Sequence, residues 1–115
     1  MGKKPHPDSG FIEFLCDQLA NLPEMVTVKP MFGGHGLYLD TRFFAIVGYG
    51  RVYFKTNYRT RPKYEAHGMD VFKPSEKQVL KHYLEVPVDI LEDADTLCQW
   101  AEEASHCELC KSTKI

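Results

Sequence analysis

Residues 36–55, GLYLDTRFFAIVGYGRVYFK, constrain this chain more than any other stretch. Three runs rich in Leu, Phe, Ile, Val and Tyr follow one another, separated only by Asp40-Thr41 and by Gly48-Tyr49-Gly50. Runs of β-type residues with breaks this short read as hairpins. A two-residue turn at Asp40 and Thr41 sets Leu39 opposite Arg42, Leu37 opposite Phe44 and His35 opposite Ile46. A three-residue loop at Gly48, Tyr49 and Gly50 sets Ile46 opposite Val52 and Phe44 opposite Phe54. Side chains alternate between the faces of a sheet, so Leu37, Leu39, Phe44, Ile46, Val52 and Phe54 share one face, the expected core. The other face collects Tyr38, Phe43, Ala45, Val47, Arg51, Tyr53 and Lys55. It is too apolar for plain solvent and too charged for a second core, which suits an interaction surface; cover by a loop or by the middle helix is the competing reading.

The flanking sequence adds helices. Phe11, Phe14, Leu15, Gln18, Leu19 and Leu22 recur at helical spacing behind Asp8 or Ser9, which predicts a helix over about 9–21 that closes before Pro23. MVTVKPMF precedes the three runs as a further strand. TNYRTRPKYEAHG reads as a helix ended by Gly68, and KQVLKHYLEVP as a strand ended by Pro87. Asp93, or Asp89 with Glu92 three residues on, caps a last helix with Ala94, Leu97, Cys98, Ala101 and Ala104 on one side. The order α-β-β-β-β-α-β-α, with about five strands, describes a two-layer α+β domain in which an antiparallel sheet packs against helices. A chain of 115 residues suffices for a single domain with one core, here with residues 1–8 and 109–115 as flexible tails.

Composition narrows the class. With 43% hydrophobic and 26% charged residues the chain has the balance of a soluble globular protein, and no apolar run nears the roughly 20 residues that cross a bilayer. MGKKPHPDSG lacks the apolar segment of a secretory signal, so a cytoplasmic protein with no membrane partner is expected. Cys16, Cys98, Cys107 and Cys110 do not suggest a disulfide framework in a domain of this size. The net charge of −2 gives no general reason for a polyanionic partner. Charge is nonetheless unevenly spread: Arg42, Arg51, Lys55, Arg59, Arg61 and Lys63 fall in a window free of acidic residues, and the last third is acidic.

The glycine-rich KPMFGGHGLYLD, residues 29–40, invites a phosphate-binding reading and fails it. Gly34 and Gly36 supply two glycines of a dinucleotide fingerprint, but Leu39 holds the third place and a strand follows where a helix is needed; no Gly-Lys-Ser/Thr ending is present either. Gly33, Gly34 and Gly36 read instead as a structural turn that needs positive φ or close backbone approach. His35 reads as a turn residue with a local hydrogen bond. Cys107 and Cys110, beside His106, have half the spacing of a zinc site without a second pair, and a helix C-terminus with Glu108 nearby opposes thiolate formation. They read as incidental thiols near a frayed end, with metal shared across a dimer as the lesser alternative. No nucleophile or acid–base set has a recognisable signature, so neither catalysis, cofactor nor metal is expected.

The succession KPMFGGHGLYLDTRFFAIVGYGRVYFK, RPKYEAHGM, HYLEVP and DADTLCQWAEEA resembles the N-terminal domain of the TfoX family, the bacterial regulators of competence for DNA transformation. The resemblance runs from Phe11 to Ala104 and is most specific at MFGGHGLY, Phe44-Ala45, VYFK, Tyr83 with Pro87, and Trp100. It implies a small α+β domain of a kind also seen in secretion-chaperone-like folds, with a regulatory role and no catalysis. Full regulators carry a second, helical domain, whereas this sequence ends eleven residues after WAEEA, so the N-terminal domain alone is expected. The candidate interaction surface is Tyr38, Phe43, Arg51, Tyr53, Lys55, Arg59, Arg61 and Lys63. Its expected partner is another protein, with a second copy of the chain as one form of this. Nucleic acid, held by basic residues interleaved with aromatics, is the alternative.

Overall fold

The structure, a computed structural model, describes residues 9–31 and 34–107. The expected tails at 1–8 and 109–115 lie outside the described residues, as do Gly33 and Cys110. The chain runs α1 (Ser9–Gln18), β1 (Val26–Met31), β2 (Gly34–Leu39), β3 (Arg42–Gly48), β4 (Arg51–Lys55), α2 (Arg61–Ala66), β5 (Val71–Ser75), β6 (Gln78–Glu85), α3 (Val88–Leu91) and α4 (Ala94–Ser105). Every strand pairing is antiparallel, in the order β1-β2-β3-β4-β6-β5. The α+β class and the succession of elements are as expected, but the described sheet has six strands rather than about five. The added strand, VFKPS, contains Pro74, which argues against a strand in the middle of a sheet; β5 is an edge strand, where proline is tolerated.

The first turn has the expected register, with Leu39 opposite Arg42 and Tyr38 opposite Phe43. The second does not. Gly48 pairs with Arg51, so the loop is the two residues Tyr49 and Gly50, with φ of 55° and 74°. Both residues at positive φ match the twist of the flanking strands, which a short hairpin requires. Between the two turns a bulge leaves Phe44 unpaired, since Leu37 pairs with Ala45. The extra residue reverses the alternation. Phe44, Ala45 and Val47 all face the main core, and Ile46 turns to the opposite side. This corrects the expected faces: Ala45 and Val47 exchange sides with Ile46.

All the helices lie on the main-core side. Leu15 and Leu19 from the α1 segment and Leu97, Trp100, Ala101 and Ala104 from α4 pack on Leu37, Leu39, Phe54 and Leu84 of the sheet. Each leucine fully buried in this way contributes about 1.5–3 kcal/mol. α1 is fastened to the α3–α4 segment by two long-range bonds: Gln18 Nε2 donates to the Leu91 carbonyl at 2.7 Å, and Cys98 Sγ donates to the Gln18 carbonyl at 3.4 Å. The Asp93 carboxylate caps α4 by accepting from the Thr96 amide and hydroxyl. α2 ends as its sequence predicts: the Gly68 amide donates to the Glu65 carbonyl and the Met69 amide to that of Tyr64, with Gly68 at φ 74°.

Candidate functional site

The sheet face away from the helices carries a second apolar cluster to which, among the described residues, no helical residue contributes: Ile46, Tyr53 and Phe72 are buried, with Met31, Phe43, Leu80 and Tyr83 packed around them. Gly36 explains how strands two apart meet there. A Cβ on Gly36 would lie 2.7 Å from Met31 Cε and 2.8 Å from Phe43 Cε1, so its missing side chain is the space in which β1 and β3 touch across β2. Phe43 continues a row of aromatic rings, with centroids 5.2 Å from Tyr38 and 5.8 Å from Tyr83. The Lys29 ammonium sits 5.1 Å from the Tyr38 ring centre at one end of the row, and Lys55 pairs with Tyr83 from β4, the strand between those of Phe43 and Tyr83. Met31, Tyr38, Phe43 and Tyr83 are each half-buried. This row is a partly open apolar feature of the described sheet.

The structure divides the eight candidate surface residues. Tyr38, Phe43 and Lys55 lie half-exposed on this face. Tyr53 shares the face but is only 8% exposed, its ring covered by Phe72 at 4.7 Å. Arg51 is exposed and grips both Glu85 oxygens at 3.0 and 3.1 Å. Arg59, Arg61 and Lys63 leave the sheet altogether. Arg59 is exposed before α2, in a segment whose backbone bends around the Asn57 side chain, which accepts from the Arg59 and Thr60 amides. Arg61 donates to Glu65 and to the Lys81 carbonyl. Lys63 bonds Glu103 and lies 5.0 Å from the Trp100 ring centre. The basic window is thus two regions, most of it already engaged by the chain's own carboxylates and rings. Sequence reasoning missed Met31, Ile46, Phe72, Leu80 and Tyr83. Only Tyr83, at alternating spacing with Glu85 in HYLEVP, carried a readable signal.

The other candidates resolve separately. Gly34 and Gly36 lie inside β2 rather than in a turn, and close approach, not positive φ, accounts for both. His35 also lies within the strand. Cys107 is buried at 7% exposure, not frayed, and burial is the main cause that pushes its thiol up, against weaker opposing pulls from a Thr60 hydrogen bond and Lys55. Cys16, Cys98 and Cys107 are free thiols. No group of three or more His, Cys, Asp and Glu gathers as metal ligands among the described residues. A shallow hollow of about 310 Å³ lies between Asn57, Tyr58, Arg59 and His106. No described helix is long and apolar enough to cross a membrane.

A six-stranded antiparallel sheet with helices on one side and an aromatic row on the other defines a small α+β domain. The chain belongs to the TfoX N-terminal domain family, whose model matches residues 17–107. No curated protein matches it.

Proposed function

We propose that the domain is a non-enzymatic regulatory module of the cytoplasm that works by docking another protein on its outer sheet face. The observation that carries this reading is the half-exposed row of Met31, Tyr38, Phe43 and Tyr83 on the face to which no described helix contributes. Partly open aromatic and methionine surface of this kind is what protein interfaces use as anchors. Nucleic acid fits less well. Stacking needs a presented ring face, but Tyr38, Phe43 and Tyr83 are tilted at 45–49° against one another and Lys29 occupies one face of Tyr38. Of the basic residues, Arg51, Arg61 and Lys63 are held in ion pairs within the chain. Regulation of competence, implied by the resemblance, is the process in which to seek the partner.

The test replaces Tyr38 by a photoreactive phenylalanine analogue in cells, with the same replacement at exposed Gln99 on α4 as control. A single protein adduct that forms from position 38, fails to form from 99, and is lost when Phe43 is changed to Glu supports docking on this face. Equal labelling from both positions, or none from 38, sinks it.

A further inference from the structure

We infer that the protein docked on the outer face is an acidic segment with one or two large apolar anchors, an inference that rests on the docking reading above. The charge of the molecule is polarised across its sheet outside α2, whose Arg61 and Lys63 are paired with Glu65 and Glu103 on the helical side. Residues 9–28 and 82–107, which contain α1, α3 and α4, hold no Lys or Arg. They carry Glu13, Asp17 and Glu24 in the first stretch and Asp89, Glu92, Asp93, Asp95, Glu102 and Glu103 in the helical part of the second. The outer face is the reverse: Lys29, Arg51 and Lys55 stand there against Glu85 and Asp70, which both act on Tyr53, and Arg51 already binds both oxygens of the Glu85 carboxylate. Cations therefore flank the aromatic row, Lys29 at its Tyr38 end and Lys55 on the strand beside Tyr83. A partner that seats an aromatic or leucine side chain on Phe43 and Tyr83 brings its neighbouring residues to Lys29 and Lys55, where carboxylates are favoured and ammonium groups repelled.

The same polarity argues against a second copy. Two outer faces packed about a two-fold axis oppose Lys29, Arg51 and Lys55 with their own kind. A head-to-tail contact with the acidic helices matches in charge, but the two surfaces lie on opposite sides of the sheet, so that association does not close and grows into fibres.

The experiment pans a random peptide display library on the whole chain, and then measures the enriched peptides against wild type and a Lys29→Glu, Lys55→Glu double variant. Both lysines have solvent-accessible side chains, and an unchanged urea midpoint verifies that the variant is folded. Enriched peptides are expected to be net acidic with an aromatic or leucine anchor. They should bind the variant at least about tenfold more weakly and weaken with salt, as charge contacts at an interface rim do. Neutral or basic winners, no winners, or affinity unmoved by the double variant overturns the acidic partner, while crosslinking from position 38 still stands for docking itself. Tighter binding of oligo(dT) than of any peptide, or self-association abolished by the double variant, overturns it in favour of nucleic acid or of a second copy. Absence of crosslinks from position 38 removes the docking reading and this inference together.

Discussion

Gly34 faces Val47 so closely that a Cβ built on it would lie 2.1 Å from the Val47 carbonyl oxygen. Nothing flexible stands in the way to yield; the obstacle is backbone of the neighbouring strand. Gly34→Ala must therefore part β2 from β3, and its cost is expected at or above the top of the ~1–3 kcal/mol range for overpacking. The atoms nearest a Cβ on Gly36 are Met31 Cε and Sδ and a ring edge of Phe43, which can shift. Urea denaturation should rank Gly34→Ala clearly the more damaging. Equal midpoints for the two variants would contradict this account of the glycines.

Tyr49 sits at φ 55° with 76% of its surface exposed. It bears the strain of a left-handed conformation and returns little packing. Tyr49→Asn gives the Asn-Gly pair that this turn favours, and should raise stability by about 1 kcal/mol. An unchanged or lower thermal midpoint would mean that Tyr49 makes a compensating contact.

Burial raises the phenols of Tyr53, Tyr64 and Tyr83, the last to about 12 from an ordinary 10. A phenol harder to ionise in the folded than in the unfolded state favours folding in full below pH 10, and that contribution is lost as pH rises through its folded value. The domain should thus lose its helical circular dichroism in alkali, together with the late part of the tyrosinate absorbance rise. Complete ionisation of all six tyrosines before any change in dichroism would refute the linkage.

Lys63 joins α2 to α4 by bonding Glu103 while lying over Trp100 and, at 5.7 Å, over Tyr64. Both contacts are partly open to water, so Lys63→Met is expected to cost only about 0.5–1 kcal/mol. Trp100 is the only tryptophan, and its fluorescence should change in the folded variant. An unaltered emission spectrum would show that the ammonium does not stay on the ring in solution.

What could be read from the sequence depended on whether a local signal had one meaning. The cap at Gly68 and the Leu39–Arg42 turn did, because each rests on chemistry within a few residues, whereas the last helix offered two caps, Asp93 and Asp89, of which the structure uses Asp93. FFAIV did not: five successive apolar residues carry no period, so nothing marked Phe44 as the unpaired residue that sends Ile46 outward. Tyr49 looked like the middle of a glycine-flanked loop, since tyrosine seldom adopts positive φ. The aromatic row was hidden for a different reason. Tyr38 and Phe43 are hairpin neighbours, but their junction with Tyr83 depends on β6 lying beside β4, a pairing across nearly thirty residues that hydrophobic pattern does not specify.

Pro30 lies in β1 and Pro74 in β5, the two outermost strands of the sheet. A residue without an amide hydrogen interrupts any ladder that an incoming strand would try to build there. Each proline removes a ladder donor from its edge, which opposes lateral growth on both flanks. This also favours one geometry of recognition: a visitor gains more by lying across the strands and reading side chains than by joining an interrupted edge and reading the backbone.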